Sequence, residues 1–396
     1  MSSTFRIHST AIAVAALMGT AFSAQANLTN PEISLVLDGH YQSGERALGE
    51  REEGFALGHT ELAISAAVDD KFYGKLTTVL ESHEGEIEVG LEEAFIQTLA
   101  MPWALSVRAG RFLSEIGYLN NQHLHSDAFV ERPAAYRAFL GGHYFDDGIR
   151  LNWIAPTDTY WELGTEVFGG DPLQAEGLDH AETVGVYHLY SKWGGDIGLA
   201  HSWQAGISWL RNENGQGGVH EEHAEDLLDD HDHDHSHGAE FTGRDLFNVS
   251  AVYKWAPGGN YKYNHLTISA EYFYLDSPFA GEEHDHDHHA LAEEAGADYF
   301  DGWYVSGVYQ ISPSWSAGLR YGQMSAGLME AHGDHSHYHP ADIKETEAML
   351  AWHPSHFSTV RLQYSHQDVH GLDHADDHQF TLQYVMTLGA HDAHQF

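Results

Sequence analysis

The chain contains no cysteine in its 396 residues, and it is poor in basic side chains. Without cysteine it can form neither a disulfide framework nor a thiolate metal site, so any bound metal would be held by imidazole and carboxylate groups. Only 18 lysine and arginine residues stand against 59 acidic residues, which gives a formal charge of -41. This balance excludes nucleic acid as an expected partner, because nucleic-acid binding needs basic patches.

Long apolar runs are also missing. The apolar run at residues 11–17 is shorter than the roughly 18 residues that mark a transmembrane helix. It follows Arg6 and precedes Ala24-Gln25-Ala26, which is the order of a secretory signal with an A-x-A cleavage site. We therefore expect a signal peptide at residues 1–26 and one mature domain at 27–396, outside the inner membrane.

Apolar and polar residues alternate through most of the mature chain, and this period of two is typical of β-strands. In the clearest stretch one face comprises Phe247, Val249, Ala251, Tyr253 and Trp255. The opposite face carries Asn248, Ser250 and Lys254. Strands with one apolar and one polar face fit either a water-soluble sandwich or a membrane barrel.

Three features favour the barrel over the sandwich. Tryptophan and tyrosine crowd the expected strand ends, which suits the aromatic girdles of a membrane barrel. The signal peptide directs the chain out of the cytoplasm. The chain ends in Phe396. An aromatic last residue after an alternating strand resembles the assembly signal of bacterial outer-membrane barrels. The predicted fold is an all-β transmembrane antiparallel barrel of about 16 strands in the bacterial outer membrane.

Short turns should alternate with long loops along such a barrel. We expect strands centred near residues 37, 61, 76, 92, 108, 151, 164, 187, 204, 249, 269, 305, 319, 347, 361 and 382. The expected short turns include Gly194-Gly195. The expected long loops lie at 42–54, 113–147, 169–182, 211–242, 276–298, 326–342 and 367–376. If the short turns face the periplasm, these long loops lie outside the cell.

Three of the long loops carry tracts of histidine and acidic residues. The candidate metal ligands are His220, His223, His231, His233, His235, His237, His284, His286, His288, His289, His332, His335, His337 and His339. Imidazole and carboxylate suit Zn, Ni, Cu and Fe(II). The loose spacing predicts many exchangeable sites, so Zn2+ would be a transported or loosely bound ion rather than a tightly held cofactor. The alternative is a solvated acidic loop that binds metal only as any polyhistidine does.

Residues 110–148 form a long connection after a predicted strand. In general porins a loop at this place folds into the lumen, and a constriction lined by acids and imidazoles would favour divalent cations. The candidate constriction residues are His123, His125, Asp127, Glu131, Arg132, His143, Asp146 and Asp147. The alternative is a surface loop whose two histidines face water, with Arg132 and Arg137 paired with Glu131 and Asp127. Further acids, Glu61, Glu92, Glu93, Glu271 and Glu347, are expected to line the wall.

The sequence offers little sign of catalysis. It has no G-x-S-x-G nucleophile motif, no H-E-x-x-H and no phosphate-binding glycine loop. We therefore expect a protein that is not an enzyme.

The 110–148 segment, the histidine-rich loops and the ending GAHDAHQF at 389–396 together resemble a family of proteobacterial outer-membrane proteins. This family is described as zinc-regulated outer-membrane receptors and is distantly similar to phosphate-selective and other specific porins. The resemblance implies expression under zinc limitation and a role in bringing zinc across the outer membrane. Members are often labelled TonB-dependent, which implies a plug inside a barrel of about 22 strands. Since the first alternating strand begins near Glu32, we expect no plug here.

These features together predict an outer-membrane channel that captures divalent metal, above all Zn2+, on its outer loops and passes it to the periplasm. The expected partners are outer-membrane lipid, a periplasmic zinc-binding protein downstream, and identical copies in a homotrimer. Two alternatives stay open at this point. One is a non-transporting barrel that binds metal or is purely structural, and the other is a porin for another solute.

Overall fold

The computed structural model describes residues 30–83, 86–174, 183–214, 243–276, 299–332, 335–372 and 376–389, with the backbone alone at 83, 86, 328–332 and 335–340. The strands of this part are β1 Glu32–Gln42, β2 Gly54–Leu57, β3 Thr60–Ala67, β4 Phe72–His83, β5 Glu86–Thr98, β6 Leu105–Leu113, β7 Phe145–Ile154, β8 Tyr160–Phe168, β9 Val186–Ile197, β10 His201–Asn212, β11 Asp245–Trp255, β12 His265–Asp276, β13 Tyr299–Ser312, β14 Trp315–His332, β15 His335–Ser355, β16 Ser358–His370 and β17 His378–Gly389. The helices are α1 at Ala134–Leu140 and short 3-10 turns at Pro102–Ala104, Leu124–Ser126 and Asp171–Leu173. No helix in these ranges is long and apolar enough to cross a membrane.

The strands form one antiparallel sheet that closes on itself. Closure comes from β1 and β17, which pair from Ser34 with Gly389 to Gln42 with Thr381. Strands β2 and β3 pair with different parts of β1 and so share one place in the wall. The described strands therefore make a barrel with sixteen strand positions in its wall, as predicted. Each expected strand centre falls inside an observed strand.

The apolar face of each strand points outward. On β11 the side chains of Phe247 and Val249 are 42% and 53% exposed, while Asn248 and Ser250 between them are buried. On β12 Tyr272 is exposed and its neighbour Glu271 is buried. This partition is the reverse of a water-soluble protein and is that of a barrel whose outer surface faces lipid. The chain is an outer-membrane β-barrel.

Most connections at one end of the barrel are shorter than most of those at the other. One end has turns such as 68–71, 198–200 and 356–357, and the other carries the connections after β1, β4, β6, β8, β10, β12, β14 and β16. Exposed Trp255, Trp315 and Trp352 lie near the short-turn end, where a girdle is expected. Since short turns face the periplasm in such barrels, the other end, called here the outer end, faces the cell exterior.

Two of the predicted connections are wrong. Gly194 and Gly195 lie inside β9, and the turn follows at 198–200, because glycine in a strand can mark close backbone approach as well as a turn. The loop expected at 326–342 is mostly strand, since β14 continues to His332 and β15 begins at His335. The predicted signal peptide at 1–26 lies outside the described residues.

Candidate metal site in the barrel lumen

Residues 114–144, which join β6 to β7, fold into the lumen and are called here the inward segment. Its helix α1 follows Pro133 and ends at Gly141, whose φ of 58° is left-handed, so the helix stays short. Tyr136 on α1 packs edge-on against Phe273 of β12 with ring centroids 5.0 Å apart, and both rings are fully buried. The predicted inward fold of this connection is therefore confirmed.

Buried ion pairs fix the inward segment to one wall of the barrel. Arg46, in the loop after β1, lies 2.8 Å from Glu345 and 2.7 Å from Glu347 on β15. Arg137 of α1 lies 3.0 Å from the same Glu345 carboxylate. A buried charge without a partner costs several kcal/mol, so each group holds the others in place.

Glu271 of β12 also holds the inward segment. Its carboxylate accepts hydrogen bonds from the Tyr118 backbone N–H at 2.9 Å and from the hydroxyls of Tyr136 and Tyr304 at 2.8 Å each. The chain passes this carboxylate at Gly117, where φ is +69° and a Cβ atom would collide with both Glu271 and Tyr136. Glu271 is thus a structural anchor rather than a free acid of the lumen.

Four histidines and four glutamates meet on the wall formed by β3, β4 and β5. This group, called here the lumen cluster, comprises His59, His123, His125, His143, Glu61, Glu81, Glu92 and Glu93. The wall strands supply the glutamates, and the inward segment supplies three of the histidines. The fourth, His59, lies in the short break between β2 and β3, the two strands that share one position in the wall.

A β-bulge places two adjacent glutamates on the same side of β5. The register against β4 pairs Thr77 with Glu93 and Thr78 with Leu91, so Glu92 is one residue more than the ladder needs. Adjacent residues of a regular strand point to opposite faces, but the bulge leaves Glu92 and Glu93 only 1% and 3% exposed. Both carboxylates therefore lie on the lumen side.

The two oxygens of Glu92 face different partners. Oε1 lies 3.3 Å from Nε2 of His59 and 3.1 Å from Nε2 of His143. Oε2 lies 3.1 Å from Nδ1 of His123, which itself lies 3.2 Å from Oε2 of Glu61. Within each of these two groups the ligand atoms lie within 4.8 Å of one another. Zinc bonds of about 2.0–2.2 Å in a tetrahedral site separate neighbouring ligands by roughly 3.3–3.6 Å, so these spacings suit a shared metal ion.

The close contacts around Glu92 do not have the geometry of hydrogen bonds. Both oxygens of Glu92, Nε2 of His59, Nδ1 of His123 and both ring nitrogens of His143 are buried without a hydrogen-bond partner among the described residues. Buried polar atoms left without a partner cost about 1–3 kcal/mol each. Donor atoms that converge at 3.1–3.3 Å without hydrogen bonds indicate a position that a cation would fill.

Outer carboxylates orient two of the rings. Nδ1 of His59 lies 2.7 Å from Glu81, which leaves its Nε2 directed toward Glu92. Nδ1 of His125 lies 2.7 Å from Glu61. Metal-ligating histidines commonly donate their second nitrogen to a carboxylate in this way, which fixes the ring and raises its basicity.

The cluster has a strongly negative field. Four carboxylates belong to it, and the ammonium of Lys75 lies 2.9 Å from Glu93 and 3.0 Å from Nε2 of His123. Burial by itself lowers the pKa of His59, but the hydrogen bond to Glu81 and the charge of Glu92 outweigh it and raise that pKa well above its ordinary value. The pKa of His123 is raised in the same way, against its burial, by Glu61, Glu92 and Glu93. The site therefore attracts cations, either protons or metal.

The remaining predicted constriction residues have other roles. Arg132 and Asp127 form a buried ion pair at 2.5 Å, and Glu131 lies 3.6 Å from Arg46. Asp146 accepts a hydrogen bond from Tyr144, so it ties the inward segment to the wall. Asp147 was wrongly placed in the constriction. Its side chain is 68% exposed and pairs with Arg111, because alternation along β7 directs only one of two adjacent aspartates inward.

Sequence reasoning missed His59 and Glu81. His59 and Glu61 form an H-x-E pair, whose side chains share a face in extended chain, and this was the available signal. Glu81 carried none, because its contact with His59 depends on the register of β3 against β4.

The structure does not describe the side chains of the outer histidine tracts. His220, His223, His231, His233, His235, His237, His284, His286, His288 and His289 lie outside the described residues. His332, His335, His337 and His339 lie on the backbone of β14 and β15, and their side chains are outside the described part.

A serine of the inward segment also meets a histidine and a glutamate of the wall, away from the lumen cluster. Glu166 accepts a hydrogen bond from Ser114 at 2.6 Å, and Nδ1 of His188 lies 2.6 Å from the same carboxylate oxygen. All three residues are fully buried. Since the hydroxyl donates to the carboxylate rather than to the ring, this group braces the wall and has no nucleophile geometry.

Comparison with known proteins supports the fold. No family model matches the chain. A protein of Aquifex aeolicus strain VF5, named only as uncharacterized, is 27% identical over 386 residues, which span 94% of this chain and 76% of that protein.

Solved structures of outer-membrane proteins share the architecture at low sequence identity. The channel DcaP of Acinetobacter baumannii is 12% identical with a TM-score of 0.54, covering 93% of this chain and 100% of its own. The anion-selective porin of Comamonas acidovorans is 9% identical with a TM-score of 0.54, covering 91% and 100%. OmpT of Vibrio cholerae in its trimer form is 9% identical with a TM-score of 0.53, covering 91% and 100%. These likenesses show the fold, a closed outer-membrane β-barrel, and carry no information on the solute.

Proposed function

We propose that this barrel is an outer-membrane channel that takes up divalent metal ions, zinc foremost, and delivers them to the periplasm. The observation that carries the proposal is the lumen cluster, in which Glu92 and three histidines converge at 3.1–3.3 Å without hydrogen bonds. A general porin has no need of buried imidazole nitrogens that lack a hydrogen-bond partner. Imidazole with carboxylate suits Zn, Ni, Cu and Fe(II) and disfavours Mg and Ca.

The choice of zinc within that set rests on supply. Copper(II) would bind such ligands more tightly by the Irving–Williams order, so availability decides which ion is carried. The resemblance to zinc-regulated outer-membrane proteins points to conditions in which zinc is scarce. The histidine tracts predicted at the outer end would then concentrate the ion near the mouth, and the lumen cluster would receive it.

The remaining partners follow from passive flow. A channel without an energy source needs a sink, so a periplasmic zinc-binding protein would accept the ion. A homotrimer is the proposed assembly, and a solved neighbour has a trimer form. The outward apolar surface contacts outer-membrane lipid.

A non-transporting barrel is the second candidate, and the packing of the inward segment favours it. Tyr136, Phe139 and Leu140 of α1 are all buried against the wall, so part of the bore is filled. Such a barrel would bind zinc without conducting ions.

Planar-bilayer recording separates these functions. The purified chain should form cation-selective channels whose monovalent current falls in micromolar Zn2+, because zinc held at the lumen cluster obstructs the smaller ion. Absence of channels would establish the non-transporting barrel, and anion selectivity without any zinc effect would establish a porin for another solute. Deletion of residues 219–237 should lower zinc uptake by cells at limiting zinc and leave uptake at high zinc unchanged.

A further inference from the structure

The lumen cluster offers ligands on both sides of one carboxylate. His59 and His143 lie on the Oε1 side of Glu92, whereas Glu61 and His123 lie on the Oε2 side. Each side supplies two further ligand groups, and the two sides share only Glu92. A single ion within bonding distance of all five groups would have to draw them together, although the inward segment and the wall hold them apart.

We infer that the lumen cluster holds two divalent metal ions side by side, bridged by the carboxylate of Glu92. This inference rests on the proposed function and specifies its site. Paired sites of this kind place their ions about 3.5–4 Å apart. His59 and His143 ligate the first ion, and Glu61 and His123 ligate the second.

Charge balance is compatible with two ions. The four glutamates of the lumen cluster carry four negative charges and Lys75, which contacts Glu93, carries one positive charge, so these five groups sum to three negative charges when the imidazoles are neutral. With one dication bound the net charge of the site is -1, and with two it is +1. The magnitude of the net charge is therefore the same with one ion or two. The carboxylate between the ions screens their repulsion.

The two positions lie at different depths. His59 contacts Glu81, two residues from the outer end of β4 at His83, and His123 contacts Lys75, three residues from its periplasmic end at Phe72. Six residues of strand between Glu81 and Lys75 span roughly 20 Å. The position of His59 and His143 is therefore the outer one.

This order gives the ions a path. An ion from outside reaches the outer position first and then exchanges Oε1 of Glu92 for Oε2, so that it never leaves that carboxylate. The ammonium of Lys75 lies on the periplasmic side of the inner position. When the ion departs, this ammonium remains to balance the negative charge of the carboxylates. The outer and inner positions thus act as successive binding sites on one path for the ion.

Anomalous diffraction at the zinc absorption edge tests this directly. Crystals of the full-length chain soaked in zinc chloride should show two peaks about 3.5–4 Å apart, one on each side of Glu92. The map locates each ion, so zinc held by the outer tracts does not confuse the count. Single-channel recording on the same preparation reports the zinc effect on current.

Three variants and one control assign the peaks. His143→Ala should abolish the outer peak and keep the inner one, His123→Ala should do the reverse, and Glu92→Gln should abolish both. His353→Ala, which changes a histidine near the short-turn end bonded to Ser316 and Thr359, should keep both peaks. Heat-modifiable migration on gels verifies that each variant has folded.

The outcomes separate this inference from the proposed function. A single peak, or two peaks lost together in His143→Ala, overturns the paired site, while zinc-sensitive current keeps the channel function. Zinc found only in the outer tracts also overturns the paired site. Absence of channel activity overturns the function itself, even where two peaks are present.

Discussion

Nη1 of Arg46 lies 2.7 Å from Oε1 of Glu347, and this ion pair joins the loop after β1 to β15. Both side chains are almost completely buried. Arg46 also lies 3.6 Å from Glu131 in the inward segment. One guanidinium therefore connects three separate parts of the chain, and the shape of the constriction depends on it.

Arg46→Ala should loosen the constriction. Breaking a buried ion pair costs about 3–5 kcal/mol, and Arg137 and Arg320 remain to compensate the carboxylates, so the barrel should fold while the segment moves. Single-channel conductance should rise and become noisier. Arg211→Ala, which removes a partly exposed pair with Glu213, is the matched control. Conductance equal to that of the wild type would show that Arg46 does not set the constriction.

Lys75→Met should strengthen zinc binding. The ammonium lies against Glu93 and His123, so its removal leaves an uncompensated negative charge beside the site. The zinc concentration that halves the monovalent current should fall about tenfold, equivalent to ~1.4 kcal/mol. Lys71→Met removes the same charge from an exposed turn and should change nothing. An unaltered or higher half-blocking concentration in Lys75→Met would contradict this electrostatic role.

Gly117→Ala should displace the inward segment. Its φ of +69° disfavours any Cβ, and the added methyl would collide with Glu271 and Tyr136. Strain and overpacking of this kind cost about 1–3 kcal/mol each, so the thermal unfolding midpoint in detergent should fall and the zinc effect on current should weaken. Gly307→Ala, where a Cβ meets no atom within 4 Å, is the control. Equal midpoints for the two variants would be the contrary result.

Acid should weaken the contact of the inward segment with the wall near Glu115. Burial by itself raises the pKa of Glu115, but Lys192 and Arg150 outweigh it and hold that pKa below its ordinary value. A carboxyl with a depressed pKa in the folded state contributes stability above about pH 4.3, its unfolded value, and loses it as the pH falls further.

The unfolding midpoint should therefore drop between pH 5 and pH 3, and Glu115→Gln should remove part of that drop. Circular dichroism melts in detergent measure both. Glu88→Gln, at an exposed glutamate of β5, should keep the full drop. Identical pH profiles for Glu115→Gln and the wild type would sink this explanation.

The barrel was predictable because its signal is local. Each strand has to place apolar residues toward lipid and polar residues toward the lumen, so the period of two is visible in stretches such as that of Phe247 and Asn248. Turns were less secure, since Gly194 and Gly195 act as strand residues that allow close packing.

The site was only partly predictable because it is assembled from distant segments. His123, His125 and His143 were identified by the length and composition of their connection. Glu92 was expected merely as a wall acid, since its importance comes from a bulge that alternation does not reveal. Asp147 shows the converse error, because composition cannot say which of two adjacent acids points inward.

The bulge residue of β5 supplies a carboxylate to the metal site and also sets the register of β5 against β4. Deleting one of the two adjacent glutamates would restore strict pairing with β4 and leave one carboxylate where the site now has two, whereas a one-residue deletion far from the bulge would turn apolar side chains into the bore and charged ones toward lipid. Changes of length in this strand are therefore confined to one spot. Evolution of the pore toward another solute would have to proceed by exchanging side chains around an unaltered backbone.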